Sequence, residues 1–285
     1  MKHLIFALSM AFPAMGLALP VATHAALPQP PAILQWKSTI AGWNDSYYWY
    51  DTDGARYAFT SQAAYQSWFP GTPTGVSQAT VPELAPVKLN GAVFHNPGER
   101  LIKFASSPNI YAVSRYGILR WIATEQVAMD LYGVQWTSYV DELSVTEYPL
   151  YHFGSPITDS AEYDRAAYWN VTNPSSNAVN ATNRPPEKFD AKVSLAIDRS
   201  DAFVGSTFKL SATVTETREA WNTVTIRFYD HQQQVVGVCR GTVACSVDVI
   251  ATGPVGAQTF TARAFNAWEQ SVEATPVNIN IANKQ

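Results

Sequence analysis

The sequence predicts a β-rich chain in two parts, a duplicated α+β hairpin-helix module followed by a β-sandwich. Three observations carry this. The front half says nearly the same thing twice, since residues 48–59 read YWYDTDGARYAF and residues 111–123 read YAVSRYGILRWIA. From residue 191 the chain alternates apolar and polar side chains in seven short runs separated by turn residues, the period of half-buried strands. Between the two lies a polar stretch, residues 158–190, in which Asn173-Pro174-Ser175-Ser176-Asn177 and Arg184-Pro185-Pro186 are turn and linker signals.

In the duplicated region, residues 35–157, Gly54 aligns with Gly117 at an offset of 63 and Arg56-Tyr57 with Arg120-Trp121 at 64, as if one residue had slipped in after the glycine. Further on, Val81-Pro82-Glu83-Leu84 matches Val140-Asp141-Glu142-Leu143 at an offset of 59. Each copy is expected to be a hairpin and then a helix, with Tyr57 and Trp121 in equivalent places. Asp53-Gly54 predicts a tight type I′ turn, for which glycine supplies the positive φ. Thr60 or Ser61 then caps a helix bearing the stripe Ala64, Tyr65, Trp68 and Phe69. In the second copy Thr124 is the N-cap, Val127, Ala128, Leu131 and Tyr132 form the stripe, and Gly133 ends it.

The strand runs of residues 191–282 begin with Val193, Leu195 and Ile197, continue with Phe208, Leu210, Ala212 and Val214, then with Val224, Ile226 and Phe228, and end at Val277 to Ile281. Seven short strands in so few residues are the pattern of an Ig-like sandwich. Cys239 and Cys245, the only cysteines, are expected to form a disulfide clamping adjacent strands of a hairpin rather than tying the two sheets. Two thiolates without a nearby histidine would leave Zn²⁺ under-ligated.

Residues 1–25 read as a signal peptide: Lys2 and His3, an apolar run from Leu4 to Phe12, and small residues up to Thr23-His24-Ala25. No segment approaches the ~20 apolar residues of a spanning helix, so membrane insertion is not expected. A formal charge of −4 argues against bulk nucleic-acid binding. The expected location is secreted or at the cell surface.

Nothing in the sequence points to a catalytic site. His95, His152 and His231 have no metal-ligand or triad spacing and are expected on the surface or in loops; no HExxH, GxSxG or P-loop pattern occurs. Asp51 and Asp53 fall on one strand face, as a paired acid and base would, but the second copy carries Ser114 and Tyr116 there; they read as turn-forming carboxylates. No cofactor or metal is expected. Two ligand-binding candidates remain. Arg100, Lys103, Arg115 and Arg120, with Trp121 nearby, form a local basic cluster on an acidic chain and could cradle an anionic cell-wall polymer. Trp221 and Trp268 precede the third strand and follow the sixth, connections that emerge at one end of an Ig-like sandwich, where two rings would make a platform for a sugar face.

Phe203-Val204-Gly205-Ser206-Thr207, Thr225-Ile226-Arg227-Phe228-Tyr229-Asp230, the Cys239/Cys245 hairpin and Gly256-Ala257-Gln258-Thr259-Phe260-Thr261-Ala262 resemble bacterial Ig-like repeats of secreted surface proteins. Arg56-Tyr57-Ala58-Phe59, Ser67-Trp68-Phe69 and Arg120-Trp121-Ile122 are similar to repeats of exported bacterial proteins. The resemblance implies fold and brings no catalytic residue. The expected function is non-enzymatic: extracellular attachment or surface structure, with cell-wall polysaccharide or other surface proteins as partners. The alternative is a carbohydrate-binding accessory protein, and behind it a polysaccharide hydrolase.

Overall fold

The computed structural model describes residues 27–37, 45–71, 75–169, 171–180, 185–186, 188–217 and 224–284. The expected signal peptide and Trp221 lie outside the described residues. The described residues are predominantly β-stranded, in four sheets of which three mix parallel and antiparallel pairs.

The first front sheet contains β1 (Ala32–Trp36), β2 (Ser46–Tyr50), β3 (Arg56–Phe59), β4 (Val76–Gln78) and β5 (Leu89–Val93) in the order β4-β1-β2-β3-β5. The second contains β6 (Leu101–Phe104), β7 (Ile110–Val113), β8 (Ile118–Trp121), β9 (Val140–Leu143) and β10 (His152–Phe153) in the order β9-β6-β7-β8-β10. Strand senses agree as well. The first three strands of each sheet are antiparallel, the fourth lies parallel to the first and the fifth parallel to the third. Between the third and fourth strands run α1 (Gln62–Trp68) and α3 (Glu125–Tyr132). Ser61 Oγ accepts from Ala64 N (3.1 Å) and Thr124 Oγ1 from Val127 N (3.2 Å), so both helices start on a side-chain cap. Tyr65 of α1 is buried and stacks on Tyr47 with 4.2 Å between ring centroids.

Register corrects the sequence alignment in two places. Asp51 N bonds to Ala55 O and Ser114 N to Ile118 O, and Thr60 N meets Val93 O as Ala123 N meets Ile157 O. The offset of 63 therefore continues from the hairpin to the helix cap, with no slip after the glycine. Tyr57 corresponds to Arg120, and Trp121 to Ala58. Successive strand residues face opposite ways, so Tyr57 is buried while Trp121 is 41% exposed. Likewise Val81–Leu84 is a short helix, α2, whereas Val140–Leu143 is strand β9. The counterpart of Thr80-Val81-Pro82-Glu83 is Ser144-Val145-Thr146-Glu147, where the Ser144 side chain again starts a helical turn. The turns differ too. In both, three residues lie inside the closing bond; in the first only Gly54 takes positive φ, with Gly54 N bonded to Asp51 O, so the expected type I′ turn at Asp53-Gly54 is not formed, whereas in the second both Tyr116 and Gly117 take positive φ and Ile118 N bonds to Arg115 O.

Residues 158–190, expected as a linker, carry helix α4 (Arg165–Trp169) and short 3-10 turns at Ser160–Glu162 and Pro174–Asn177. They are packed down. Tyr163, Val171, Ala178 and Phe189 are buried, and Tyr163 OH donates to Val113 O at 2.6 Å.

The back half has one sheet of β11 (Lys192–Ile197), β13 (Thr207–Thr215) and β16 (Ala244–Ile250). A second holds β12 (Asp201–Phe203), β19 (Val277–Ala282), β17 (Gly256–Phe265), β14 (Thr225–Tyr229) and β15 (Val235–Arg240), with β18 (Ser271–Glu273) on β17. The inward residues of both, among them Phe208, Leu210, Ile226, Phe228, Ala262 and Ile279, make one core. Each fully buried Phe, Leu or Ile there contributes about 1.5–3 kcal/mol. Cys239 and Cys245 are disulfide-bonded. They correct one expectation: β15 pairs with β14 and β16 with β13, so the bridge ties the two sheets together at one edge rather than clamping paired strands.

Candidate functional site

Arg120 stands in Ile-Leu-Arg-Trp of β8 and Arg227 in Thr-Ile-Arg-Phe-Tyr of β14. Both are buried, Arg120 fully. A buried guanidinium is tolerated only when paired and hydrogen-bonded, and one carboxylate serves both. Glu269 Oε1 accepts from Arg120 Nη1 at 3.4 Å, Oε2 from Arg227 Nη2 at 3.0 Å and from Ser155 Oγ at 2.9 Å. Arg120 also donates to the carbonyls of Ser155 (2.9 Å) and Glu162 (2.8 Å), and the Glu162 carboxylate lies 3.7 Å from its Nη2. Two cations and two anions make the cluster neutral. Burial pushes the Glu269 carboxyl up, but the charges of Arg120 and Arg227 override it and hold the group below the usual carboxylate range. Burial pulls the Arg227 guanidinium down, and Glu269 more than restores it.

Arg120, Ser155 and Glu162 belong to the front half and linking segment, Arg227 and Glu269 to the back half, so the cluster joins the two. Around it the Tyr116 ring stacks on Trp268 at 4.6 Å, and Arg240 donates to Ala161 O. Gly154 sits where a Cβ would come within 2.7 Å of Glu269 Cβ. Beside the cluster opens a cavity of about 230 Å³ whose walls come from both halves, Arg115, Tyr116, Asp164 and Tyr168 on one side and Arg227, Arg240 and Glu269 on the other.

The residues singled out in the sequence do not share one surface. Arg100, just before β6, holds Asp141 of β9 through both Nε (3.1 Å) and Nη2 (2.6 Å), and Lys103 lies 3.4 Å from Glu142 in a cross-strand pair from β6 to β9. Arg120 is consumed in the buried cluster. Trp121 lines a separate surface depression with Trp136 and Asn109. Trp268 is 9% exposed and covered by Tyr116, which corrects the open platform expected of it. Arg115 alone of the basic set reaches the cavity. Asp51 and Asp53 are turn carboxylates: Asp51 accepts from Thr52 N and Ser175 Oγ, Asp53 from Ala55 N and Tyr57 OH. His95, expected on the surface or in a loop, lies in the connection between β5 and β6 but is fully buried, with Nδ1 2.7 Å from Tyr151 OH. Ser155, Glu162, Arg227 and Glu269 escaped the sequence reading; the available signal was an arginine inside an apolar strand run.

Among the described residues no group of three His, Cys, Asp or Glu could hold a metal ion, and no helix is long and apolar enough to cross a membrane. No family model matches the chain, and no curated protein matches it. Among solved structures it is similar to the fibronectin(III)-like modules of CbhA from Clostridium thermocellum. That match has 20% identity over 33% of this chain and 97% of that one, with a TM-score of 0.25. Nothing about activity follows from a likeness of that size.

Proposed function

We propose that the chain is an exported, non-enzymatic protein of extracellular attachment or surface structure, built as two copies of one front unit docked rigidly on an Ig-like sandwich. The observation that carries this is the buried Arg120–Glu269–Arg227 cluster, which fixes the two parts against each other. Attachment needs binding surfaces held in constant relation, and a neutral, desolvated ion cluster resists sliding because any displacement strands a buried charge. The shared strand order and helix caps of the front sheets support duplication, and repeats pack as structural units. The paired-acid alternative loses its main motive, since Asp51 and Asp53 spend their oxygens on turn hydrogen bonds.

Cosedimentation of the protein lacking residues 1–25 with insoluble cell-wall polysaccharide, alongside light scattering of the protein alone, tests this. Retention on polymer or concentration-dependent assembly supports the proposal. A monomer that binds neither, or turnover of the polysaccharide, overturns it.

A further inference from the structure

The cavity between the halves has a chemistry of its own. Its lining carries Arg115, Arg227 and Arg240 against Glu162, Asp164 and Glu269; Arg120, behind the wall and bonded to Glu269, leaves the site one positive charge in excess. The surplus is not spread evenly. Arg227 is held by Glu269 and Ser155, whereas no described side chain pairs with the Arg115 guanidinium, and Arg240 has only the Ala161 carbonyl. Asp164 uses Oδ1 to accept from Ala167 N and has no cationic partner among the described residues.

Tyr116 and Glu269 line the cavity from opposite halves.

We propose that the cavity binds one carboxylate-bearing sugar ring, a hexuronate unit of an extracellular polysaccharide. Arg115 and Arg240 receive the carboxylate through the planar fork that guanidinium presents. The Asp164 carboxylate accepts from ring hydroxyls. Tyr116, backed by Trp268, supplies the ring surface on which a pyranose packs. A dianionic phosphate is disfavoured, because a single surplus positive charge beside three carboxylates cannot compensate it. The volume, about 230 Å³, lies below the ~300–1,000 Å³ of drug-sized sites and so admits a single ring. Only the natural source of the sugar rests on the attachment function proposed above; the site stands on its own geometry.

Saturation-transfer NMR with methyl β-D-glucuronoside, against methyl β-D-glucoside and acetate, tests the site in wild type and in Arg115→Ala and Arg240→Ala. Both arginines are exposed at the rim, so neither replacement threatens the fold, and an unchanged melting midpoint confirms that. The expected result is saturable transfer to the glucuronoside, at least about tenfold weaker binding in either variant (~1.4 kcal/mol), weaker transfer to the glucoside, and no displacement by acetate. Equal binding of glucuronoside and glucoside, equal binding by wild type and Arg115→Ala, or no transfer in wild type overturns the proposal. Polymer retention unaffected by Arg115→Ala, with no glucuronoside bound, would remove the site and leave attachment standing; glucuronoside bound without polymer retention would do the reverse.

Discussion

His95 shows what a single buried residue does to the pH response of the molecule. Burial pulls its pKa from 6.5 to about 4; Asp141, 3.7 Å away, works against this, and Arg100 works with it. The unfolded chain therefore holds a proton that the folded one refuses between those values. Stability is complete above pH 6.5 and falls as the pH drops toward 4, by about 3 kcal/mol in all. Urea midpoints at pH 7 and 5 should differ in wild type, and His95→Gln should remove most of that difference. An equal slope in the variant would mean that His95 is not the titrating group. Nothing in Phe-His-Asn-Pro announced this burial, because what encloses the ring is Tyr151 and Asp141, 56 and 46 positions away in sequence. Arg120 and Arg227 were more nearly legible, since each interrupts an apolar strand run, but their shared partner Glu269 lies 149 residues beyond Arg120.

At the scale of elements, the two hairpins offer a controlled comparison. Gly54 and Gly117 occupy equivalent turn positions with φ of 75° and 70°. A Cβ at Gly54 meets nothing within 4 Å, whereas one at Gly117 would stand 2.4 Å from Cγ of Phe94. Gly54→Ala should cost only the left-handed backbone penalty, about 1–2 kcal/mol, and Gly117→Ala clearly more by chemical denaturation; equal costs would contradict the packing described. The disulfide gives another prediction. Cys245→Ser opens a short loop worth at most ~3 kcal/mol, and because the bridge spans the two sheets it should lower the transition of the whole docked molecule. A sandwich that melts earlier while the front half keeps its midpoint would contradict this.

Strand alternation made seven of the nine described strands of the back half legible; β12 and β18 are three residues each, too short for a period to be read. In the front half the likeness of the two segments was legible and its register was not. Arg-Tyr and Arg-Trp look alike as dipeptides, and sliding one residue to match them exchanges the buried and exposed faces of a strand. The strand registers and the backbone bonds of Thr60 and Ala123 decide between the two alignments.

For the whole molecule, the segment at 158–190 looked like a linker because its apolar residues follow no helical or strand period. It packs nonetheless, as irregular turns that place Tyr163 under β7 and Glu162 beside Arg120. We propose that it acts as a joint rather than a hinge, with a buried carboxylate between two arginines at its core. Differential scanning calorimetry of wild type and Glu269→Gln tests that joint most directly. Losing one partner of a buried ion cluster costs about 3–5 kcal/mol. The wild type should unfold in one transition whose calorimetric and van't Hoff enthalpies agree, and Glu269→Gln should separate it into two. Two independent transitions in the wild type, or a variant that still melts as one at an unchanged midpoint, would contradict the account.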